Sequence, residues 1–229
     1  SRPIQRMTIH MSLNKVKLII FDVDGTLLDS ERLWKETLGI ISKKYHMPGL
    51  EERLFHRLVG ISGEAEDRIY DEMLDPAIRD RFVSDWRQLA NATIDEKVPV
   101  KPGAYEWFAW VKEHGLWLGV ATSSHRKETE YRLKKAKLWD DIDHLLCGNE
   151  IEHKKPHPEI YQKMLEHFHL EPDQALVIED SSIGVEAAYR ANIPVIHVAD
   201  LIEPTTQDKE RAWMTCKNLK EALVYLDTD

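Results

Sequence analysis

Residues 21–30 read Phe21-Asp22-Val23-Asp24-Gly25-Thr26-Leu27-Leu28-Asp29-Ser30 and follow the apolar run Val16-Lys17-Leu18-Ile19-Ile20. Two carboxylates one residue apart at the end of a strand-like run are unfavourable unless something neutralises them or a proton is shared. Asp and Gly also favour turns, so the pair on its own reads equally as turn chemistry. What lies elsewhere in the chain separates the two readings.

Other apolar runs end in the same way. Leu116–Ala121 leads into Thr122-Ser123-Ser124, and Ala175–Ile178 leads into Glu179-Asp180. Pro194–Val198 continues the series, with the shorter Leu145–Cys147 between. Near-continuous apolar strands belong to parallel sheets covered on both faces. Helical patterns lie between them: Ile160, Met164 and Phe168 share a face, and Ala187, Ala188 and Ala191 follow the capping pair Ser181-Ser182. This alternation predicts an α/β core with a doubly wound parallel sheet. Ligands of such sheets sit at the carboxyl ends of the strands, so the three polar terminations would meet on one edge.

Residues 31–98 break the alternation. Trp34, Leu38, Ile41 and Tyr45 form one helical face and Ile78, Phe82, Trp86, Leu89 and Thr93 another, with Gly60-Ile61-Ser62-Gly63 interrupting the middle. The expected organisation is a catalytic core of residues 16–30 and 99–229 with a helical cap domain, 31–98, inserted after the first strand. The alternative is a helical excursion with no moving part. Residues 1–15 lack the apolar centre of a signal peptide and are set aside as a leader or tag-like segment.

Composition narrows the function. The chain of 229 residues can bury a real core, and its 42% hydrophobic content is ordinary for a globular fold. A net charge of −9 argues against nucleic acid as a partner, because that role needs a basic face. No apolar run reaches membrane-spanning length, so no membrane association is expected. Two cysteines, Cys147 and Cys216, form neither a metal-ligand spacing nor a disulfide framework, which suits a cytoplasmic protein. The expected state is a monomer.

The candidates at the predicted edge are Asp22, Asp24, Thr122, Lys155, Glu179 and Asp180. Several carboxylates in one crevice call for a hard divalent cation, and Mg²⁺ takes a few carboxylate oxygens, waters and substrate phosphate. His153 and His157 flank a Pro-rich loop and His167 and His169 lie on different helix faces, so no histidine cluster for zinc is expected. With the cation present, Asp22 can attack phosphorus and form an aspartyl phosphate. Asp24 can give a proton to the leaving oxygen and later take one from water. The Thr122 hydroxyl and the Ser123 backbone N–H can hold phosphate oxygens, and Lys155 adds positive charge. Each has a plainer reading. Thr122 could cap the helix that starts near Arg126, Lys155 could be a solvated loop charge, and Glu179-Asp180 could be a helix-capping pair. Their joint placement at strand ends favours the site.

The four stretches FDVDGTLLDS, VATSS, KKPHPEIY and VIEDSSIGVEAA resemble, in order, the motifs of the haloacid dehalogenase (HAD) superfamily over roughly residues 16–200. The resemblance implies a Rossmann-like core with a helical cap, as in the branch of sugar-phosphate phosphatases and β-phosphoglucomutase. It implies Asp22 as nucleophile, Asp24 as acid/base whose backbone carbonyl also touches Mg²⁺, Thr122 and Lys155 as phosphate-binding groups, and Asp180 as a metal ligand. Glu179 is implied as a direct or indirect ligand. Dehalogenases lack the second aspartate, so Asp24 argues against that reaction.

Two reactions then stand: a Mg²⁺-dependent phosphatase of small phosphorylated metabolites such as sugar phosphates, or a phosphomutase. Mutases of this branch carry an arginine just after a Gly-x-Ser turn, where this chain has Gly63 and Glu64. Arg53, Arg57 and Arg68 are the candidates for holding a second phosphate. A non-catalytic phosphometabolite-binding protein on the same scaffold is the reading from another class.

Overall fold

The computed structural model describes residues 13–61 and 63–227. Most of the expected leader, residues 1–12, and Ser62 of the Gly60–Gly63 break lie outside the described residues. The chain divides into two compact units, one of residues up to Leu28 and from Val100 onward, the other Asp29–Pro99.

The first unit is built on a parallel sheet. Its strands are β1 (Leu18–Phe21), β2 (Trp117–Ala121), β3 (His144–Leu146), β4 (Ala175–Glu179), β5 (Val195–Val198) and β6 (Met214–Cys216), in the order β3-β2-β1-β4-β5-β6. Every pairing is parallel. β1, β4 and β5 are buried along their whole length, which explains why they read as continuous apolar runs. Chain order reverses about β1, which pairs Phe21 with Val120 of β2 and with Ile178 of β4. That reversal opens the crevice in which doubly wound sheets bind ligands.

Around this sheet run α5 (Ala104–Glu113), α6 (Arg126–Lys135), α7 (Glu159–Phe168), α8 (Ser182–Arg190), α9 (Thr206–Arg211) and α10 (Leu219–Asp227), numbered after the four helices α1–α4 of the second unit. α7 buries Ile160, Tyr161, Met164 and Leu165, a stripe at helical spacing. These pack with Leu18, Ile20, Val177, Val185 and Ala188 in one core. Ser181 caps α8 as its position suggests, accepting the Gly184 N–H at 3.2 Å.

The second unit is helical: α1 (Ser30–Lys44), α2 (Leu50–Leu58), α3 (Glu64–Met73) and α4 (Arg79–Lys97). Its core gathers Leu38, Ile41, Leu54, Tyr70, Phe82, Trp86 and Ala90. On α4 the buried stripe runs Phe82-Trp86-Ala90-Ile94, so Leu89 and Thr93 lie beside it and are half-buried. Trp34 and Trp86 meet edge to face, 5.2 Å between centroids, and the Trp86 indole N–H donates to the Trp34 carbonyl at 3.0 Å. Both tryptophans are packing residues, and the indole N–H of Trp86 is satisfied. No helix among the described residues is long and apolar enough to cross a membrane.

Candidate active site

The turn after β1 fixes the first two acids. The Asp22 N–H donates to the Ile178 carbonyl at 3.1 Å, which ties Asp22 to the end of β4. The N–H groups of Thr26, Leu27 and Leu28 all donate to the Val23 carbonyl, at 3.1, 2.9 and 3.0 Å. Gly25 sits at φ 84° within this tight loop, a conformation that side-chain-bearing residues seldom adopt. The loop thus presents Asp22 and Asp24 on a backbone held by its own hydrogen bonds.

Lys155 joins the strand ends. Its ammonium donates to Asp22 Oδ1 at 3.0 Å, to Glu179 Oε1 at 2.6 Å and to the Ala121 carbonyl at 3.1 Å. Only 4% of Lys155 is exposed, so it is no solvated loop charge. The Tyr161 hydroxyl also donates to Glu179 Oε1, at 2.5 Å. Burial works against the charge on Lys155, but the Asp22 and Glu179 carboxylates outweigh it and raise its pKa. Burial first and the Asp22 charge second push the Glu179 carboxyl up to about 7, against the pull of Lys155 and Tyr161. Burial and then the Glu179 charge keep the Tyr161 phenol protonated, as its donor role requires.

Asp22, Glu179 and Asp180 each offer one carboxylate oxygen, and the three oxygens lie within 4.8 Å of one another. Lys155 offsets one of these charges, and a hard cation suits an all-oxygen donor set of this kind. Glu179 is fully buried and its Oε2 has no hydrogen-bond partner, the mark of a polar group whose neutralisation the protein atoms leave incomplete. The residues therefore fit a metal ion. A Cβ added at Gly184 would collide with this carboxylate, so the start of α8 admits Glu179 only because residue 184 is glycine.

The second strand end carries hydroxyls. Thr122 is buried, and its Oγ1 accepts the Ser124 N–H at 3.1 Å. It does not cap the following helix, whose N-cap is His125. The Ser124 hydroxyl donates to Asp24 Oδ2 at 2.8 Å. Ser123 lies so close to Gly148 that a Cβ there would strike its carbonyl.

All of the predicted residues therefore fall at the carboxyl ends of β1, β2 and β4 or on the Lys155 loop. Four contacts escape a reading of the sequence alone. Thr26 donates to Asp180 Oδ1 at 3.0 Å, Ser124 bonds Asp24, Tyr161 bonds Glu179, and the buried His197 ring meets the Asp180 carbonyl through Nε2 at 3.0 Å. Thr26, Ser124 and Tyr161 stand inside the quoted motifs, and that proximity is the only signal they give. One expectation is corrected. His153 and His157 do form a cluster: with Glu159 they bring three ligand atoms within 4.8 Å of one another, and their two rings stack.

Residues 19–198 match the family described as haloacid dehalogenase-like hydrolase. A phosphorylated carbohydrates phosphatase of Thermotoga maritima is 32% identical over 185 residues, 80% of this chain and 84% of that protein. Pyrophosphatase PpaX of Bacillus cereus is 28% identical over 178 residues, 73% of this chain and 76% of its own. A solved structure from Thermotoga maritima, described as a "putative beta-phosphoglucomutase", superposes with a TM-score of 0.76 at 26% identity, covering 93% of this chain and all of that one. The chain belongs to the haloacid dehalogenase-like hydrolases, and it is an enzyme built around an aspartate-based catalytic cluster.

Proposed function

We propose that the enzyme is a cytoplasmic, monomeric, Mg²⁺-dependent phosphatase of small phosphorylated metabolites, sugar phosphates among them, which works through an aspartyl phosphate on Asp22. The observation that carries this is the buried bridge of Lys155 between Asp22 and Glu179 beside a three-carboxylate cluster. It supports reading Asp22 as the nucleophile, Lys155 as a fixed positive charge and the acids as a cation site at one strand edge. The likeness to a phosphorylated carbohydrates phosphatase supports the substrate class. Residues 31–98, within the second unit, act as the cap domain in this reading.

Asp22, Asp180 and the Asp24 carbonyl would hold Mg²⁺, with Glu179 adding charge beside them. When bound, the ion neutralises phosphoryl oxygens and lets an anionic ester approach the acids. An Asp22 carboxylate oxygen attacks phosphorus, and the bond to the leaving oxygen breaks. Asp24, oriented by the Ser124 hydroxyl, donates the proton that the leaving alkoxide needs. Water then attacks the phosphorus of phospho-Asp22, Asp24 takes its proton, and phosphate leaves. Lys155 keeps the Asp22 carboxylate aimed throughout. The Thr122 hydroxyl, whose oxygen already accepts from Ser124, has its proton left to give a phosphate oxygen, and the Ser123 N–H gives a second.

A phosphomutase is the second reading, favoured by the likeness to the Thermotoga maritima structure. It needs a side chain for a distal phosphate. Of the candidates, Arg57 is held by Glu72 at 2.6 Å and Arg68 lies 3.9 Å from Glu64. Gly63, where an arginine would stand, offers no charge.

Incubation with a panel of phosphomonoesters and Mg²⁺ is expected to release inorganic phosphate, and Asp22→Asn to lower turnover by roughly 10³-fold or more. Undiminished turnover in that variant, with deamidation excluded by mass spectrometry, would sink the covalent route. A mutase would instead interconvert sugar phosphates under a bisphosphate primer with little free phosphate.

A further inference from the structure

Lys155 sits on its loop between two imidazoles, His153 and His157, each two residues away. Their rings stack with centroids 4.6 Å apart and planes inclined by 24°. Glu159, the first residue of α7, closes the group. Its carboxylate accepts the N–H of Glu152 at 2.7 Å and that of His153 at 3.2 Å, and its Oε1 meets His153 Nδ1 at 3.1 Å. The Glu159 N–H in turn donates to His157 Nδ1 at 3.1 Å, and Lys163 Nζ lies 3.4 Å from Oε2. The carboxylate is mostly shielded, with 15% of its side chain exposed, while 55% of the His153 side chain is open to solvent.

One ligand atom from each of the three residues lies within 4.8 Å of the others. A tetrahedral ion with bonds of about 2.0–2.2 Å sets its donors roughly 3.4 Å apart, so small side-chain rotations bring these three onto one ion. The donor set, two nitrogens and one oxygen, suits borderline cations such as Zn²⁺, Co²⁺ or Cu²⁺ and is poorly matched to Mg²⁺. The carboxylate cluster of the active site has the opposite preference. Water can complete the coordination on the exposed side. Ligation costs the hydrogen bond between the Glu159 N–H and His157 Nδ1, whichever ring nitrogen binds, because binding through Nε2 moves the ring proton to Nδ1.

We propose that His153, His157 and Glu159 form a second metal site, for a borderline divalent cation of the Zn²⁺ type, which clamps the loop carrying Lys155. The proposal does not depend on the identity of the substrate or on the reading of the active-site acids.

Calorimetric titration of the whole chain with Zn²⁺, in excess Mg²⁺ to occupy the all-oxygen cluster, tests it. The wild type is expected to bind one equivalent of Zn²⁺ and to melt at a higher temperature with it than without. The His153→Ala/His157→Ala variant should bind at least roughly tenfold more weakly and lose the thermal shift. Asp180→Asn should keep both, and Co²⁺ should show visible absorption bands in the wild type that the double variant lacks. Unaltered Zn²⁺ affinity in the double variant, no Zn²⁺ binding by the wild type, or loss of binding in Asp180→Asn would each overturn it. If the double variant fails to fold in metal-free buffer, His153→Gln alone serves, with the same weakening expected and unaltered affinity again overturning the site.

Discussion

Lys155–Glu179 in the sheet unit and Arg57–Glu72 in the helical unit are ion pairs of the same length, 2.6 Å. Their side chains are 3% and 0% exposed in the first and 43% and 60% exposed in the second. In water the second pair gains little, because solvent screens it and two long side chains must be ordered. In the interior the first has given up its hydration and depends on its partners being in place. The two units repeat this contrast throughout. Among the described residues of 29–99, the buried polar side chains are Ser30, Thr37 and Ser42, all uncharged, and Thr37 is satisfied by the Leu33 carbonyl of its own helix at 2.7 Å. The sheet unit buries Asp22, Lys155 and Glu179 against one another. Buried charge at a strand edge is costly to fold around, so its presence separates the reacting part of the molecule from the part that is ordinary helix packing.

The largest test of this contrast is Lys155→Met. It leaves Asp22 and Glu179 as neighbouring buried acids, and we expect a stability loss of about 3–5 kcal/mol in metal-free buffer, together with loss of turnover. Urea unfolding monitored by circular dichroism measures the first, and a loss below about 1 kcal/mol would erase the distinction between the two pairs. A double-mutant cycle on Arg57→Ala and Glu72→Ala should give a coupling of only about 0.2–1 kcal/mol, shrinking with added salt. A salt-insensitive coupling as large as that of Lys155 would break the comparison from the other side.

A smaller effect comes from a pair that belongs to neither extreme, half-buried His144 and exposed His167. The rings of His144 and His167 stack face to face, 3.4 Å between centroids and 5° apart. Burial first and the neighbouring His167 charge second lower the His144 pKa below the 6.5 of a free imidazole. The folded state therefore favours the neutral ring. Its contribution to stability is present above about pH 6.5 and is lost as pH falls through the folded pKa. The melting temperature should drop between pH 7.5 and 5.5, and drop less in His144→Gln. Equal drops would remove His144 from the account.

The fully buried β1, β4 and β5, and β2 beyond its exposed Trp117, were legible because burial leaves no alternation to disguise them. β6 was not, since its three residues run from half-buried Met214 through exposed Thr215 to buried Cys216, too short to show a period. β3 lies one residue earlier than its apolar run, starting at His144, because the backbone pairing to Gly119 sets its start. At the site, the acids were legible from their strand ends and Lys155 only from the KKPHPEIY stretch. Thr26, Ser124 and Tyr161 were not, because a hydroxyl is placed by a contact and leaves no pattern in the chain. The His153–His157–Glu159 group was hidden for a related reason. Its spacing would put all three on one face only of an extended strand, and residues 153–159 form none; a turn there, in which the His157 N–H donates to the Lys154 carbonyl at 3.0 Å, accompanies the grouping.

The position of β1 at the centre of the sheet bears on how the protein is made. Both of its neighbours come from far down the chain, Leu18 pairing with Trp117 and with Ala175, and Lys155 reaches Asp22 across 133 residues. Such pairings are slow, because long loops must close before the contacts repay them. Residues 29–99 are contiguous and carry their own apolar core, so they need not wait. Pulse-labelled amide exchange during refolding should find Phe82 and Trp86 protected before Ile19 and Ile20, and simultaneous protection would contradict that order. During synthesis Asp22 leaves the ribosome long before the lysine that stabilises its charge, and until then the aspartate has only water for company.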